Sequence, residues 1–219
     1  MALEISDKLN VAGVMAVLVI DRIEHTLPTI ESLLEGGVGA IELTLRTPIA
    51  WEAARLIKKT FPEVLLGLGT VLTTDQVRKA VDWGVDFAVA PGCNPKVIAE
   101  AHQQGLFFGP GVMTPTDIEM ALEQGCKVMK FFPAETAGGL KHLQSMAAPY
   151  HFLGLQFIPL GGCNIGNAPM YLGSPLIHSI GGSWIAPQKL IQAQEWSQIK
   201  NNAAEITRVI REVRSSALV

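Results

Sequence analysis

Cysteine is scarce in this chain. There are three, Cys93, Cys126 and Cys163, in 219 residues, and no two stand in a CxxC pair. An odd count without ligand spacing excludes a disulfide framework and fits a reducing compartment, so a cytoplasmic location is expected. The five histidines form neither HxH nor HExxH, which leaves a protein-held metal without a ligand set. Charge is also sparse. Charged residues make up 17% of the chain, the net charge is −3, and the densest basic pair is Lys58-Lys59, so neither nucleic acid nor an acidic membrane surface is an expected partner. No apolar run is long enough to span a bilayer. The opening residues carry Glu4, Asp7, Lys8 and Asn10 in place of the basic start and apolar centre of a secretory signal, so no leader is expected.

What is abundant is apolar residues, 48% of the chain, arranged as a regular alternation. Eight apolar, β-rich runs stand out: 14–20, 39–45, 65–71, 87–91, 106–111, 127–133, 156–161 and 178–183. Amphipathic segments of helical period separate them. Thr47-Pro48, Asn94-Pro95 and Thr114-Pro115 each pair a capping side chain with a proline whose missing N–H is harmless in a first turn. Gly84, Gly105 and Gly125, at steps of 21 and 20 residues, read as left-handed helix stops. Strand–helix units repeated eight times predict an α/β fold, a (β/α)8 TIM barrel formed by residues 1–219 as a single domain. A short N-terminal helix around 3–12 precedes it and a long helix over 187–217 ends it. An open doubly wound sheet is disfavoured by the strand count and by the lack of GxGxxG after the first strand.

Period-two alternation sorts the strand residues into two faces. In IELTLR, Ile41, Leu43 and Leu45 suit the helix-facing side, which turns Glu42, Thr44 and Arg46 inward. In KVMKFFP, Met129 and Phe131 face the helices, while Val128, Lys130 and Phe132 face the interior. A lysine, a glutamate and an arginine therefore converge on one enclosed space. A buried ion-pair network filling a barrel layer would give the same pattern. Chemistry offers a second reading. A lysine that attacks a carbonyl must be neutral, and apolar neighbours with Arg46 nearby favour the neutral amine. Glu42 can move protons, and Arg46 can hold a carboxylate in bidentate fashion. Together they suit a Schiff-base enzyme acting on a keto acid. After the last two strands come LGGCN (160–164) and IGGSW (180–184), where glycine N–H groups and Ser183 can meet an anion. Cys163 reads as a small filler, His178 as structural, the tryptophans Trp51, Trp83 and Trp196 as packing residues, and Glu135 has no assigned role.

The stretches GGVGAIELTLRTP, GLGTVL, APGCNP, KFFPAE, the glycine pair 161–162 and IGGSW resemble those of the bacterial 2-keto-3-deoxy-6-phosphogluconate (KDPG) and 2-keto-4-hydroxyglutarate (KHG) aldolases. The resemblance runs from the second predicted strand to the eighth. It implies class I aldolase chemistry without metal or cofactor: cleavage of KDPG to pyruvate and glyceraldehyde 3-phosphate, and of KHG to pyruvate and glyoxylate. By motif, Lys130 corresponds to the Schiff-base lysine and Glu42 to the general acid–base. Arg46, Thr70, Pro91 and Phe132 correspond to the pyruvate side, and Gly161, Gly162 and Ser183 to the phosphate site. The implied partners are keto-acid and aldehyde substrates and two further copies of the chain, since the family is typically homotrimeric. Leu160 stands where the family has threonine, which leaves open the choice among KDPG, its galactonate analogue and KHG. The other reading, an isomerase or decarboxylase that uses Lys130 and Glu42 only as acid and base, also stays open at this point.

Overall fold

The computed structural model of the chain describes residues 2–216. Helix α1 (Ala2–Ala12) leads into strand β1 (Val14–Leu18), and strand–helix alternation follows: α2 (Thr26–Glu35), β2 (Ala40–Thr44), α3 (Ala50–Thr60), β3 (Leu65–Gly69), α4 (Thr74–Asp82), β4 (Phe87–Val89) and α5 (Pro95–Gln103). The second half continues with β5 (Phe107–Gly109), β6 (Gly111–Val112), α6 (Pro115–Glu123), β7 (Val128–Phe131), α7 (Gly139–Ala147), β8 (Gln156–Pro159), α8 (Ala168–Leu172), β9 (Ile180–Gly182), α9 (Gln188–Gln192) and α10 (Trp196–Ser216).

All the strand pairs are parallel, and the strands form two sheets. One has six strands in the order β5-β4-β3-β2-β1-β9, and the other has three in the order β6-β7-β8. The sequence led us to expect one continuous eight-stranded sheet, and the hydrogen-bond ladder departs from that at two places. Pro110 splits the run 106–111 into β5 and β6, because proline has no N–H to give to a ladder. Its carbonyl still accepts from the Lys130 N–H at 2.8 Å. At the other junction, β8 pairs with the approach to β9 through a parallel bridge between Phe157 and Ile177, and no ladder joins β8 to β9 itself.

Period-two burial divides the interior as the pattern requires. Ile41, Leu43, Met129 and Phe131 join the large apolar cluster under the helices. A second cluster fills the inside: Met15, Val17, Ala40, Phe87, Val89, Ile158 and Leu160, with Val128 and Phe132 against it. Helix α1 adds Ile5 and Leu9, one turn apart on the same face, to this inner cluster and so closes one end.

Two of the three expected proline-linked caps form. Asn94 accepts from the Lys96 N–H, and Thr114 builds a reciprocal capping box with Asp117. Thr47 does not cap. Helix α3 starts only at Ala50, and the Thr47 hydroxyl donates instead to the Ile20 carbonyl at 2.6 Å. Gly84, Gly105 and Gly125 do take left-handed conformations, at φ 69°, 68° and 81°. The expected long terminal helix is broken in two between α9 and α10, where Gln194 turns to φ 57°. Its proposed last residue, 217, lies outside the described residues.

His178 pins α1 to the body of the molecule. Its ring lies 3.1 Å from the Ser6 hydroxyl and 3.3 Å from that of Ser179, and its carbonyl accepts from Asn10. Burial pushes its pKa down to about 4, opposed by Asp7 and aided by Arg214. The unfolded chain takes up this proton near pH 6.5, whereas the folded chain resists until about 4. Stability should therefore fall as pH drops through that window, by up to about 3 kcal/mol, and level off below it. Urea denaturation at a series of pH values should show this slope, and His178→Gln should flatten it.

Candidate active site

Lys130 sits on β7 between Gly111 of β6 and Ile158 of β8, and Glu42 sits on β2 between Val17 and Gly67. Both side chains point inward, with 6% and 1% of their surface exposed. The Lys130 ammonium donates to Glu42 Oε1 at 3.2 Å. Space for that carboxylate comes from Gly69: a Cβ there would lie 2.1 Å from Oε1. Phe132 closes another side, with its ring centroid 5.3 Å from Lys130 Nζ, inside cation–π range.

Glu42 Oε2 is buried and has no hydrogen-bond partner. A purely structural ion pair would satisfy this oxygen, since an unmet buried acceptor costs about 1–3 kcal/mol. Instead the pair borders a pocket of about 230 Å³ whose wall includes Arg46, Thr70, Pro91, Gly161, Gly162 and Ser183. Every residue given a catalytic or ligand-binding role from the sequence thus lines one cavity. Arg46, just beyond β2, makes no ion pair among the described residues. One pocket therefore holds an unmatched guanidinium beside a matched lysine–glutamate pair, an excess positive charge that suits an anionic ligand.

Thr70 follows β3 at φ 63°, a rare conformation for a β-branched residue and one that places strain at the pocket wall. Gly161 and Gly162 turn at φ 91° and 89° after β8. A Cβ on Gly161 would lie 3.2 Å from the Phe132 ring, so the glycine lets this loop close over the lysine strand.

The wall also includes Thr44, Leu160, Cys163, Gly181 and Gly182, all from stretches that the sequence placed at the site, and Val17, which it did not. The Thr44 hydroxyl is engaged with the Leu18 carbonyl, so it serves the sheet. Leu160 leans over Gly181, where a Cβ would meet its Cγ at 2.7 Å, and it presents an apolar wall. The Cys163 thiol is pushed up to about 12, by burial first and then by Glu135, and it is inert as a nucleophile at neutral pH. Behind the glycine pair, the Tyr171 hydroxyl donates to Glu135 Oε1, a contact that no local pattern signals.

Known proteins resemble this chain over most of its length. The family model described as KDPG and KHG aldolase matches residues 5–202. The 2-dehydro-3-deoxy-phosphogluconate aldolase of Haemophilus influenzae is 38% identical over 95% of this chain and 97% of its own. The KHG/KDPG aldolase of Escherichia coli is 36% identical over 90% and 92%. Among solved structures, the Legionella pneumophila KDPG aldolase, with pyruvate captured at low pH as a covalent carbinolamine, superposes with a TM-score of 0.87 at 35% identity, covering 91% of this chain and 96% of its own. The Zymomonas mobilis enzyme with 3-phosphoglycerate gives 0.86 at 38% identity, covering 94% and 95%. The chain belongs to the KDPG and KHG aldolase family.

Proposed function

We propose that this protein is a class I aldolase that cleaves KDPG to pyruvate and glyceraldehyde 3-phosphate, and KHG to pyruvate and glyoxylate. The observation that carries the reading is the buried Lys130–Glu42 contact of 3.2 Å, with a free carboxylate oxygen, in a cavity that also holds an unpaired Arg46. The contact gives the nucleophile a proton acceptor within reach. Arg46 would hold the carboxylate of the keto acid, with Thr70, Pro91 and Phe132 beside it. The Gly161 and Gly162 N–H groups and Ser183 would hold the phosphate.

The Lys130 amine attacks C2 of the keto acid to form a carbinolamine, and loss of water gives the iminium. Glu42 removes the proton of the C4 hydroxyl. The C3–C4 electron pair flows into the iminium, giving an enamine and releasing the aldehyde. Glu42 then returns the proton to C3, and water hydrolyses the imine to free pyruvate and Lys130. The lysine thus serves as a covalent electron sink, and the mechanism asks nothing of a metal or cofactor.

The same reading covers the assembly and the sheet. We infer that the two sheets act as one closed eight-stranded barrel, a closure supported by the bond from Lys130 N–H to Pro110 and by the Phe157–Ile177 bridge. We infer a homotrimer, supported by the exposed apolar side chains of Leu72 and Met113 on loops after β3 and β6, and a cytoplasmic location, in keeping with three free cysteines. Light scattering should return three times the 23.5 kDa chain mass, and a monomer at working concentration would sink the trimer.

Borohydride reduction with saturating pyruvate should leave a stable adduct on Lys130, detected by mass spectrometry. Lys130→Met should abolish both trapping and turnover. Glu42→Gln should slow turnover strongly yet retain trapping, because carbon–carbon cleavage needs the proton acceptor more than amine addition does. An acid–base isomerase or decarboxylase would give no adduct. Ser183→Ala should lower kcat/KM for KDPG about fivefold, the loss of roughly 1 kcal/mol from one hydrogen bond to an anion, and leave KHG nearly unaffected. Equal losses on both substrates would remove the phosphate from this loop.

A further inference from the structure

Glu135 lies five residues beyond Lys130, on the segment that leaves β7. That segment is stitched to the loop after β8: the Ala134 N–H donates to the Leu160 carbonyl at 2.7 Å, and the Glu135 N–H donates to the Gly161 carbonyl at 3.0 Å. The Glu135 stem lies directly against the glycine pair. A Cβ on Gly162 would stand 2.5 Å from Glu135 Cβ and 2.7 Å from its Cγ. On the far side, a Cβ on Gly139 would stand 3.2 Å from Glu135 Oε1 and 3.5 Å from the Tyr171 hydroxyl. Two glycines therefore make room for one carboxylate and the phenol that donates to it. Tyr171 belongs to α8, the helix that follows the glycine loop, and it is fully buried. The same loop is also fastened from above, where the Gly162 carbonyl accepts from the side-chain amides of Asn164 at 3.1 Å and Asn167 at 3.2 Å.

The electrostatics give this arrangement a purpose. Glu135 does not line the cavity, although its stem touches Gly162. Glu135 is exposed, so water screens it in part, but a carboxylate released from Tyr171 would still stand next to the glycine pair and repel an anion held there. Burial, together with the hydrogen bond to Glu135, holds the Tyr171 phenol far above its ordinary range, so it remains a proton donor at neutral pH.

We propose that Tyr171 and Glu135 are positioning residues for the phosphate end of the pocket: the tyrosine turns the carboxylate away from Gly161-Gly162 and ties the loop after β8 to the strand that carries Lys130. This rests on the phosphate assignment made above. Neither residue touches the reacting atoms, so the latch should govern affinity for the phosphorylated end and leave the lysine chemistry alone.

The test compares wild type, Tyr171→Phe and Glu135→Gln in three measurements: borohydride trapping with pyruvate, KM and kcat on KDPG and KHG, and calorimetric affinity for glycerol 3-phosphate as the probe. Tyr171→Phe should raise the KDPG KM and the glycerol 3-phosphate Kd about fivefold, as expected for a water-screened carboxylate freed beside an anion, while trapping and the KHG KM stay at wild-type values. Glu135→Gln should stay near wild type on the phosphorylated ligands, because its amide oxygen still accepts the tyrosine proton and no anion is set free. A drop in melting temperature with unchanged KM and Kd, equal losses on KDPG and KHG, or a loss in Glu135→Gln as large as in Tyr171→Phe would each overturn the latch. Failure of trapping in wild type with the glycerol 3-phosphate shift intact would overturn the aldolase chemistry and leave the latch standing.

Discussion

A lysine and a glutamate 3.2 Å apart, both withdrawn from water, impose the main constraint on this molecule. A pair of charges so deeply buried is costly to desolvate, and packed apolar residues of the same volume would often be at least as stable. Retaining the pair demands that β7 and β2 keep their parity, that Gly69 leave room for the carboxylate, and that Phe132 cover the ammonium. It also leaves one carboxylate oxygen unmet inside a cavity. The cost falls where a ligand can offset it, by meeting that oxygen and by turning the lysine from a buried cation into a bonded nitrogen.

Around this pair the pocket wall is mixed. Arg46 brings an unmatched charge, and the glycine pair with Ser183 brings neutral donors. The wall is apolar where Leu160 leans over Gly181. On the proposed reading, a keto acid with anionic groups at both ends would be held by charge at one end and by N–H and O–H groups at the other, with its reactive carbonyl at the lysine.

Much of this was legible in the sequence, for identifiable reasons. Alternation in ELTLR and VMKF is local and needs no partner, so it puts Glu42, Arg46 and Lys130 on the inner face from sequence alone. Asn94 and Thr114 cap because a cap is settled within four residues. Thr47 carries the same Thr-Pro signal and fails, because the Ile20 carbonyl, 27 residues away, takes its hydroxyl. Pro110 announced the break in its strand, yet the apolar run around it read as continuous. The space that Gly69 leaves for Glu42, and the bond from Tyr171 to Glu135 across 36 residues, depend wholly on tertiary proximity, and no spacing rule reaches them.

Helix α1 has a consequence that concerns traffic. By inserting Ile5 and Leu9 into the inner cluster it stops one end of the interior, so the pocket is a cul-de-sac. Whatever enters first, and deepest, must leave last. On the proposed reaction, a keto-acid fragment bonded to a lysine this deeply buried would leave after the aldehyde. In the synthetic direction the queue reverses: pyruvate must already be seated before an aldehyde can follow it in. A dead-end chamber thus imposes an order of arrival and departure through its shape, in the same sense as the covalent bond does.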